Sequence, residues 1–275
     1  MAVPLSSAAL SRVVARLRAA GCVFAEDEAE LLVSAAGDEA GLEGLIRLRV
    51  EGLPLEQVVG WAEFRGLRVE VDPGVFVPRR RSEFLVDEAV VLARPGAVVV
   101  DLCCGSGALG VALAEAVSGV ELHAADVEPT AVRCAWRNVG RVGGRVYEGD
   151  LYGALPGVLR GRVEILLANV PYVPSGAVCS LPTEARLYEP KVALDGGVDG
   201  LEVLRRVSGE ASGWLVPGGH LLVEVSERQA DRALEVFSGD GLVARSVGSE
   251  EWGSCVVVGS RPLLRNGARS VLCGS

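Results

Sequence analysis

At 275 residues, with 49% apolar and 23% charged side chains, the chain has the composition of a soluble globular protein of one large domain, or one plus a small appendage. A formal net charge of −9 argues against non-specific grip on a nucleic-acid backbone, which needs clustered Lys and Arg, although a local basic patch stays open. The seven cysteines are odd in number and form no C-x-x-C pair, which suggests neither a disulfide framework nor a zinc site, and reduced thiols fit a cytoplasmic protein.

Residues 5–60 read as helices. Leu10, Val13, Val14 and Leu17 fall at helical spacing, as do Ala29, Leu32 and Val33 after the acidic start Glu26–Glu28, with Gly21, Gly37 and Gly41 as punctuation. Met1–Ala20 interleaves arginines with apolar residues and does not read as a signal peptide, and no stretch is apolar enough to span a membrane. This helical region is either a cap or a substrate-recognition element. Phe64–Val71 then alternates and Asp72-Pro73-Gly74 signals a turn, predicting a hairpin over Leu67–Val77. Arg79-Arg80-Arg81 is either a solvated face or a contact for a carboxylate-bearing partner.

Val98–Gly110, VVVDLCCGSGALG, reads as a buried parallel strand feeding a helix through a tight turn. Gly105 and Gly107 can take positive φ and let a ligand lie on bare backbone, facing free N–H groups of the helix. With Gly110 they also spell G-x-G-x-x-G, so a dinucleotide site has to be weighed, as does a purely structural turn. Asp101 argues against the dinucleotide: its carboxylate would repel a pyrophosphate and welcome a cation. Cys103 and Cys104 occupy the turn as small, soft side chains. Val120–Asp126 and Arg145–Asp150 follow as strands. An acid at the tip of the second strand suits two ribose hydroxyls. An Asp after a strand is often only a helix cap, but Asp101, Asp126 and Asp150 end three successive strands.

Val163–Asn169 is the fourth strand and delivers Asn169-Val170-Pro171-Tyr172; a long loop, Val173–Leu194, comes next. Leu201–Leu215 reads as a helix, Val216–His220 as a turn, Leu221–Val225 as the fifth strand, and Leu242–Val247 with Cys255–Ser260 as a closing antiparallel pair. The two histidines, His123 and His220, have no nucleophile beside them, which disfavours a hydrolase triad.

The D-x-x-x-G-x-G bend resembles the first motif of class I methyltransferases, whose donor, S-adenosyl-L-methionine, carries a sulfonium and an ammonium. Other segments narrow the resemblance to the HemK/PrmC family of protein-glutamine N5-methyltransferases. Val77-Pro78-Arg79-Arg80-Arg81-Ser82-Glu83 is similar to its I-P-R-P-E-T-E phrase, with Arg80 and Arg81 replacing Pro-Glu. Asn169-Val170-Pro171-Tyr172 resembles N-P-P-Y with Val170 for the first proline, and Tyr188–Leu201 follows Y-E-P-x-x-A-L-x-G-G-x-D-G-L closely. Glu224–Gln229 is near to E-I-G-x-x-Q. The match runs strongly over residues 50–235.

The resemblance implies an α/β class I fold, Rossmann-like and seven-stranded, over residues 83–262. A helical N-terminal domain (1–62) and a β-hairpin linker (63–82) precede it, and a tail (263–275) follows. It implies S-adenosyl-L-methionine bound by Asp101, Cys103, Gly105, Gly107, Asp126, Val127, Asp150, Leu151 and Asn169, with Asp150 beside the adenine. Asn169, Val170, Pro171 and Tyr172 would be catalytic, while Asn169, Tyr172 and Glu189 would contact substrate. An amide nitrogen is a poor nucleophile, so the site must hold it: the Asn169 and Val170 carbonyls each accept one of its N–H groups, and Tyr172 packs on the flat amide. Val170 keeps the needed carbonyl, and Pro171 still favours extended geometry there. Glu189 could equally brace its loop. The family's usual substrate is a glutamine of peptide-chain release factors, so a protein partner is expected, without membrane, metal or direct nucleic-acid binding. Open alternatives are an amino-methyltransferase of nucleic acid, a diverged enzyme for a small metabolite or peptide, and a cofactor-binding protein without catalysis.

Overall fold

The structure is a computed structural model that describes residues 6–263. The expected tail from residue 264 onward, with Cys273, lies outside the described residues. Helices α1 (Ser7–Ala19), α2 (Ala25–Ala35), α3 (Glu39–Val50) and α4 (Leu55–Val59) open the chain. Ser6 and Asp38 cap α1 and α3 by accepting from Ala9 N and Gly41 N, satisfying otherwise orphaned donors. Leu17, Ala29, Leu32 and Ile46 form their own buried core. Among the described residues no helix is long and apolar enough to cross a membrane.

Strands β1 (Trp61–Phe64) and β2 (Leu67–Glu70) pair antiparallel around Arg65-Gly66, whose φ values of +48° and +72° make a left-handed two-residue turn. The hairpin therefore precedes the span expected from Asp72-Pro73-Gly74. A turn of positive φ matches the twist of paired strands, whereas Asp72–Val75 only redirects the chain (Val75 N to Asp72 O, 3.1 Å). Val75 and Val77 bury beside Ala62, Val71 and Cys134 instead of pairing.

After a short 3-10 turn at Arg80–Ser82 come α5 (Glu83–Leu92), β3 (Val98–Leu102), α6 (Ala108–Ala116), β4 (Glu121–Asp126), α7 (Pro129–Arg141), β5 (Arg145–Glu148) and β6 (Val163–Ala168). The loop expected at 173–194 is folded: two 3-10 turns flank α8 (Thr183–Tyr188). Then follow α9 (Glu202–Trp214), β7 (Leu215–Val225), α10 (Ala230–Gly239), β8 (Val243–Ser249) and β9 (Ser254–Ser260). Strand β7 starts directly at Leu215, absorbing the expected turn as a register shift against β6.

The seven-stranded sheet has the order β5-β4-β3-β6-β7-β9-β8, with β9 antiparallel to both neighbours. Every residue of β3 is buried, as a central parallel strand requires. Val100, Leu102, Leu166 and Ala168 face α9 and α10, while Val99, Ile165 and Leu167 face α5, α6 and α7. Strand order reverses between β3 and β6, the place where open α/β sheets bind ligands.

The helical region is tied down by charge as well as by apolar contact. Buried Arg49 of α3 donates to Glu28 of α2 (Nε to Oε2, 2.6 Å) and to Glu184 of α8 (2.6 Å). Tyr188 Oη donates to Glu51 O (2.7 Å) and Gln57 Nε2 to Val75 O (2.9 Å). Removing the arginine strands the buried Glu28. Arg49→Ala is expected to cost about 3 kcal/mol in denaturant unfolding, against less than about 1 kcal/mol for Arg16→Ala, whose partner Glu43 is exposed.

Candidate active site

A cavity of about 830 Å³ lies over the carboxyl ends of β3, β4 and β6. Cys103, Gly105, Asp126, Val127, Asp150 and Leu151 line one end; Ser82, Arg81 and Asn169–Tyr172 line the other. Pro54, Glu56, Leu181 and Pro182 also line it.

The turn after β3 is built on left-handed residues: Cys103 (φ +54°), Gly105 (+55°) and Gly107 (+80°). A Cβ on Gly105 would meet no atom within 4 Å, so its bare backbone faces the cavity. Gly107 does not line it; a Cβ there would lie 2.7 Å from Val139 Cγ2, so this glycine serves the packing of α6 on α7. Gly110 likewise makes room for Leu122 and Asp101.

Asp101 is fully buried beneath the turn and does not reach the cavity wall. Its Oδ2 accepts from Gly110 N (2.9 Å), its Oδ1 has no partner among the described residues, and burial lifts the carboxyl to about 7. Asp126 does reach the wall: Oδ2 accepts from Gly105 N (2.8 Å) and Oδ1 from Glu128 N (2.9 Å), with burial again raising its pKa. Asp150 is exposed and pairs with Arg206 of α9 (2.6 Å). Burial pushes the Cys103 thiol far up, which removes it as a thiolate nucleophile.

At the other end, Asn169 Nδ2 donates to Ser82 Oγ (3.2 Å), and among the described residues Asn169 Oδ1 accepts nothing. Val170 is buried, its side chain in the core with Ala168 and Leu201. The Tyr172 hydroxyl accepts from Arg81, and the Tyr172 carbonyl accepts from Gln229 Nε2 (2.9 Å). The glycines of the 196–200 segment are explained by contact: a Cβ on Gly196 would lie 2.5 Å from Pro171 O, and one on Gly200 would strike Tyr172 O.

Glu189 is placed in the cavity wall but its carboxylate is fully engaged, accepting from Val77 N (3.1 Å) and Arg79 Nη2 (2.5 and 2.7 Å). It braces the loop against the 75–79 segment. Arg81, itself exposed, pairs with buried Glu224 (Nε to Oε1, 3.0 Å). Of the arginine triplet, then, only Arg80 lacks an ion pair among the described residues, because two buried carboxylates claim the others. The histidines are structural: His123 contacts Tyr147 Oη (3.0 Å) and Glu121 (3.1 Å), His220 contacts Ser260 Oγ (2.8 Å).

Sequence reasoning missed Ser82 and Arg206. Ser82 stands where the I-P-R-P-E-T-E phrase has threonine, so the kept hydroxyl was a usable signal. Arg206 reaches the site only by the packing of α9 and carries no local one.

The raised Asp101 carboxyl has a pH consequence. Between about pH 4 and about pH 7 the folded chain holds a proton that the unfolded chain has released, so stability falls as pH rises through that window. Asp101→Asn removes this titration and is expected to flatten that part of the fall; urea titrations at three pH values across the window would show it.

A family model described as methyltransferase small domain matches residues 66–185. The release factor glutamine methyltransferase of Geobacter sulfurreducens is 37% identical over 224 residues, covering 81% of this chain and 78% of its own. The 4-amino-L-phenylalanine/4-methylamino-L-phenylalanine methyltransferase of Streptomyces pristinaespiralis is 36% identical over 203 residues, 71% of this chain and 69% of its own. A crystal structure of a methyltransferase from Pyrococcus furiosus shares the fold at a TM-score of 0.56 and 17% identity, covering 72% of this chain and 91% of that one. Identity of this extent over most of both sequences, on a methyltransferase fold, makes the chain a member of the release factor glutamine methyltransferase family.

Proposed function

We propose that this enzyme transfers a methyl group from S-adenosyl-L-methionine to the side-chain amide nitrogen of a glutamine in a peptide-chain release factor. The observation that carries the reading is the free Asn169 Oδ1, in the same cavity as the Gly105 bend and Asp126.

The residues at the β3–β4 end fit the donor, which when bound supplies an electrophilic methyl on its sulfonium. Gly105 offers backbone without a side chain. Each Asp126 oxygen, already holding one backbone N–H, keeps a lone pair for a ribose hydroxyl. Val127 and Leu151 supply apolar flanks, and Asp150 an acceptor beside the base. The orphaned Oδ1 of Asp101 beneath the turn favours a cation above it.

At the other end, Asn169 Oδ1 and the Val170 carbonyl accept the two hydrogens of an incoming amide. They hold its nitrogen in line and stabilise the positive charge that develops there. The proton leaves readily once the nitrogen has become quaternary, so no general base is needed first. Tyr172, pinned at both its hydroxyl and its carbonyl, forms a fixed wall for the planar group. A second reading, methylation of a small arylamine, is supported by the Streptomyces relative and by Val170 in place of proline.

The test is to supply labelled adenosylmethionine with purified release factor, ribosomal RNA, DNA and 4-amino-phenylalanine in separate reactions, and to map the label by mass spectrometry. Label on a release-factor glutamine is expected; label confined to the amine or to nucleic acid would refute the proposal. Asn169→Ala is expected to lower kcat by about 10²-fold or more, with donor binding by calorimetry retained.

A further inference from the structure

Arg81, in the short turn before α5, ties two elements together. Its Nε donates to Glu224 Oε1 near the end of β7 (3.0 Å), and its Nη2 donates to the Tyr172 hydroxyl. Glu224 is buried, so the guanidinium is anchored on one edge, while the Arg81 side chain stays 45% exposed. Its central carbon stands 5.7 Å from the centroid of the Tyr172 ring, beyond the hydroxyl end, so Arg81 does not cover the ring face. In the I-P-R-P-E-T-E phrase this position is glutamate, and an ionised carboxylate has no proton for either partner. The tether therefore comes from one of this chain's own departures from the phrase.

Arginine only donates, so the Tyr172 oxygen is the acceptor in this contact and its own proton points elsewhere. Burial raises the phenol above its usual pKa, which keeps that proton in place. Among the described residues nothing accepts it. Both Arg81 and Tyr172 line the cavity, at the end that holds Asn169 and Val170, and their contact is exposed. We propose that the Tyr172 O–H is a specificity-determining donor for an oxygen of the substrate next to the reacting nitrogen, and that Arg81 is the positioning residue that turns this proton into the cavity. The proposal rests on the reading of Asn169–Tyr172 as the end that receives the methyl acceptor. Asn169 and Val170 then require hydrogens on the nitrogen, and Tyr172 requires an acceptor oxygen beside it. A backbone carbonyl of a peptide supplies that oxygen, and so does the carboxylate of a free amino acid. An amine lacking both leaves the donor unpaired.

Kinetics and a direct view of the phenol test this together. Tyr172→Phe keeps the ring and removes the hydroxyl; KM for the acceptor is expected to rise about 3- to 10-fold, the scale of one hydrogen bond, with kcat within about 2-fold. Arg81→Met should raise KM by less, and in the Tyr172→Phe background it should add nothing, because it acts through that hydroxyl. Where Arg81→Met fails to fold for want of a partner to Glu224, Arg81→Lys keeps a cation there without the planar fork and should behave the same way. The chain has four tyrosines, so ¹³C labelling at Cζ resolves Tyr172, identified by its loss in Tyr172→Phe, and that signal should shift in either Arg81 variant. Release factor and 4-amino-phenylalanine are assayed in parallel. A rise in KM for release factor assigns the oxygen to a peptide carbonyl. A rise for 4-amino-phenylalanine that its decarboxylated counterpart escapes assigns it to a carboxylate. Unchanged KM for both acceptors in Tyr172→Phe overturns the donor role and leaves the methyl transfer standing; an unmoved Tyr172 signal overturns the tether. A wild-type protein that methylates neither acceptor overturns the functional reading and the donor role with it, and the phenol signal then decides the tether on its own.

Discussion

A backbone carbonyl cannot be swung into place by a rotamer change. If Val170 is to aim its oxygen at an incoming nitrogen, the whole Asn169–Tyr172 turn has to be held, and the surrounding structure is arranged to hold it. Strand β6 enters the turn paired on both sides, with β3 and β7. The 196–200 segment lies so close that two of its positions exclude a Cβ. Gln229 bonds the Tyr172 carbonyl and the Asp199 carbonyl together (2.9 and 3.2 Å). Val170 itself packs its side chain into the core below.

The buried charges follow the same geography. Glu189 meets Arg79, Glu224 meets Arg81, and Asp101 sits alone under the glycine bend. Pairs of this kind are poor sources of stability, because desolvation offsets much of the attraction. Their concentration around one cavity marks a region where the chain gives up local stability for a defined arrangement of donors and acceptors. The same pairs explain why two guanidiniums of the arginine triplet are held by the chain's own carboxylates.

The helical region joins this arrangement through its partners. Arg49 links α2 and α3 to α8, and Tyr188 at the end of α8 bonds back to Glu51. Because Glu189 follows directly and anchors to Val77 and Arg79, the chain at Tyr188–Glu189 is fastened on one side to the 75–79 segment and on the other to the helices. The helices therefore act on the wall of the cavity at Glu189.

The alternating strands and helices, the apolar β3, the acids at strand ends and the Asn-Val-Pro-Tyr turn are all local signals; the sequence alone determined the sheet class from them, and it singled out the glycine bend and the turn that the structure brings to one cavity. It could not separate a ligand-facing glycine from a packing glycine, since Gly105 and Gly107 differ only in what α7 places beside them. It could not see that Asp101 lies under the cavity wall, that Glu189 is consumed by Arg79, or that the hairpin turns at Arg65-Gly66. Ser82 and Asn169 stand far apart in the chain and meet only because the start of α5 packs against β6. Such long-range pairing is decided by tertiary packing, because no local pattern encodes which polar side chain will find which partner.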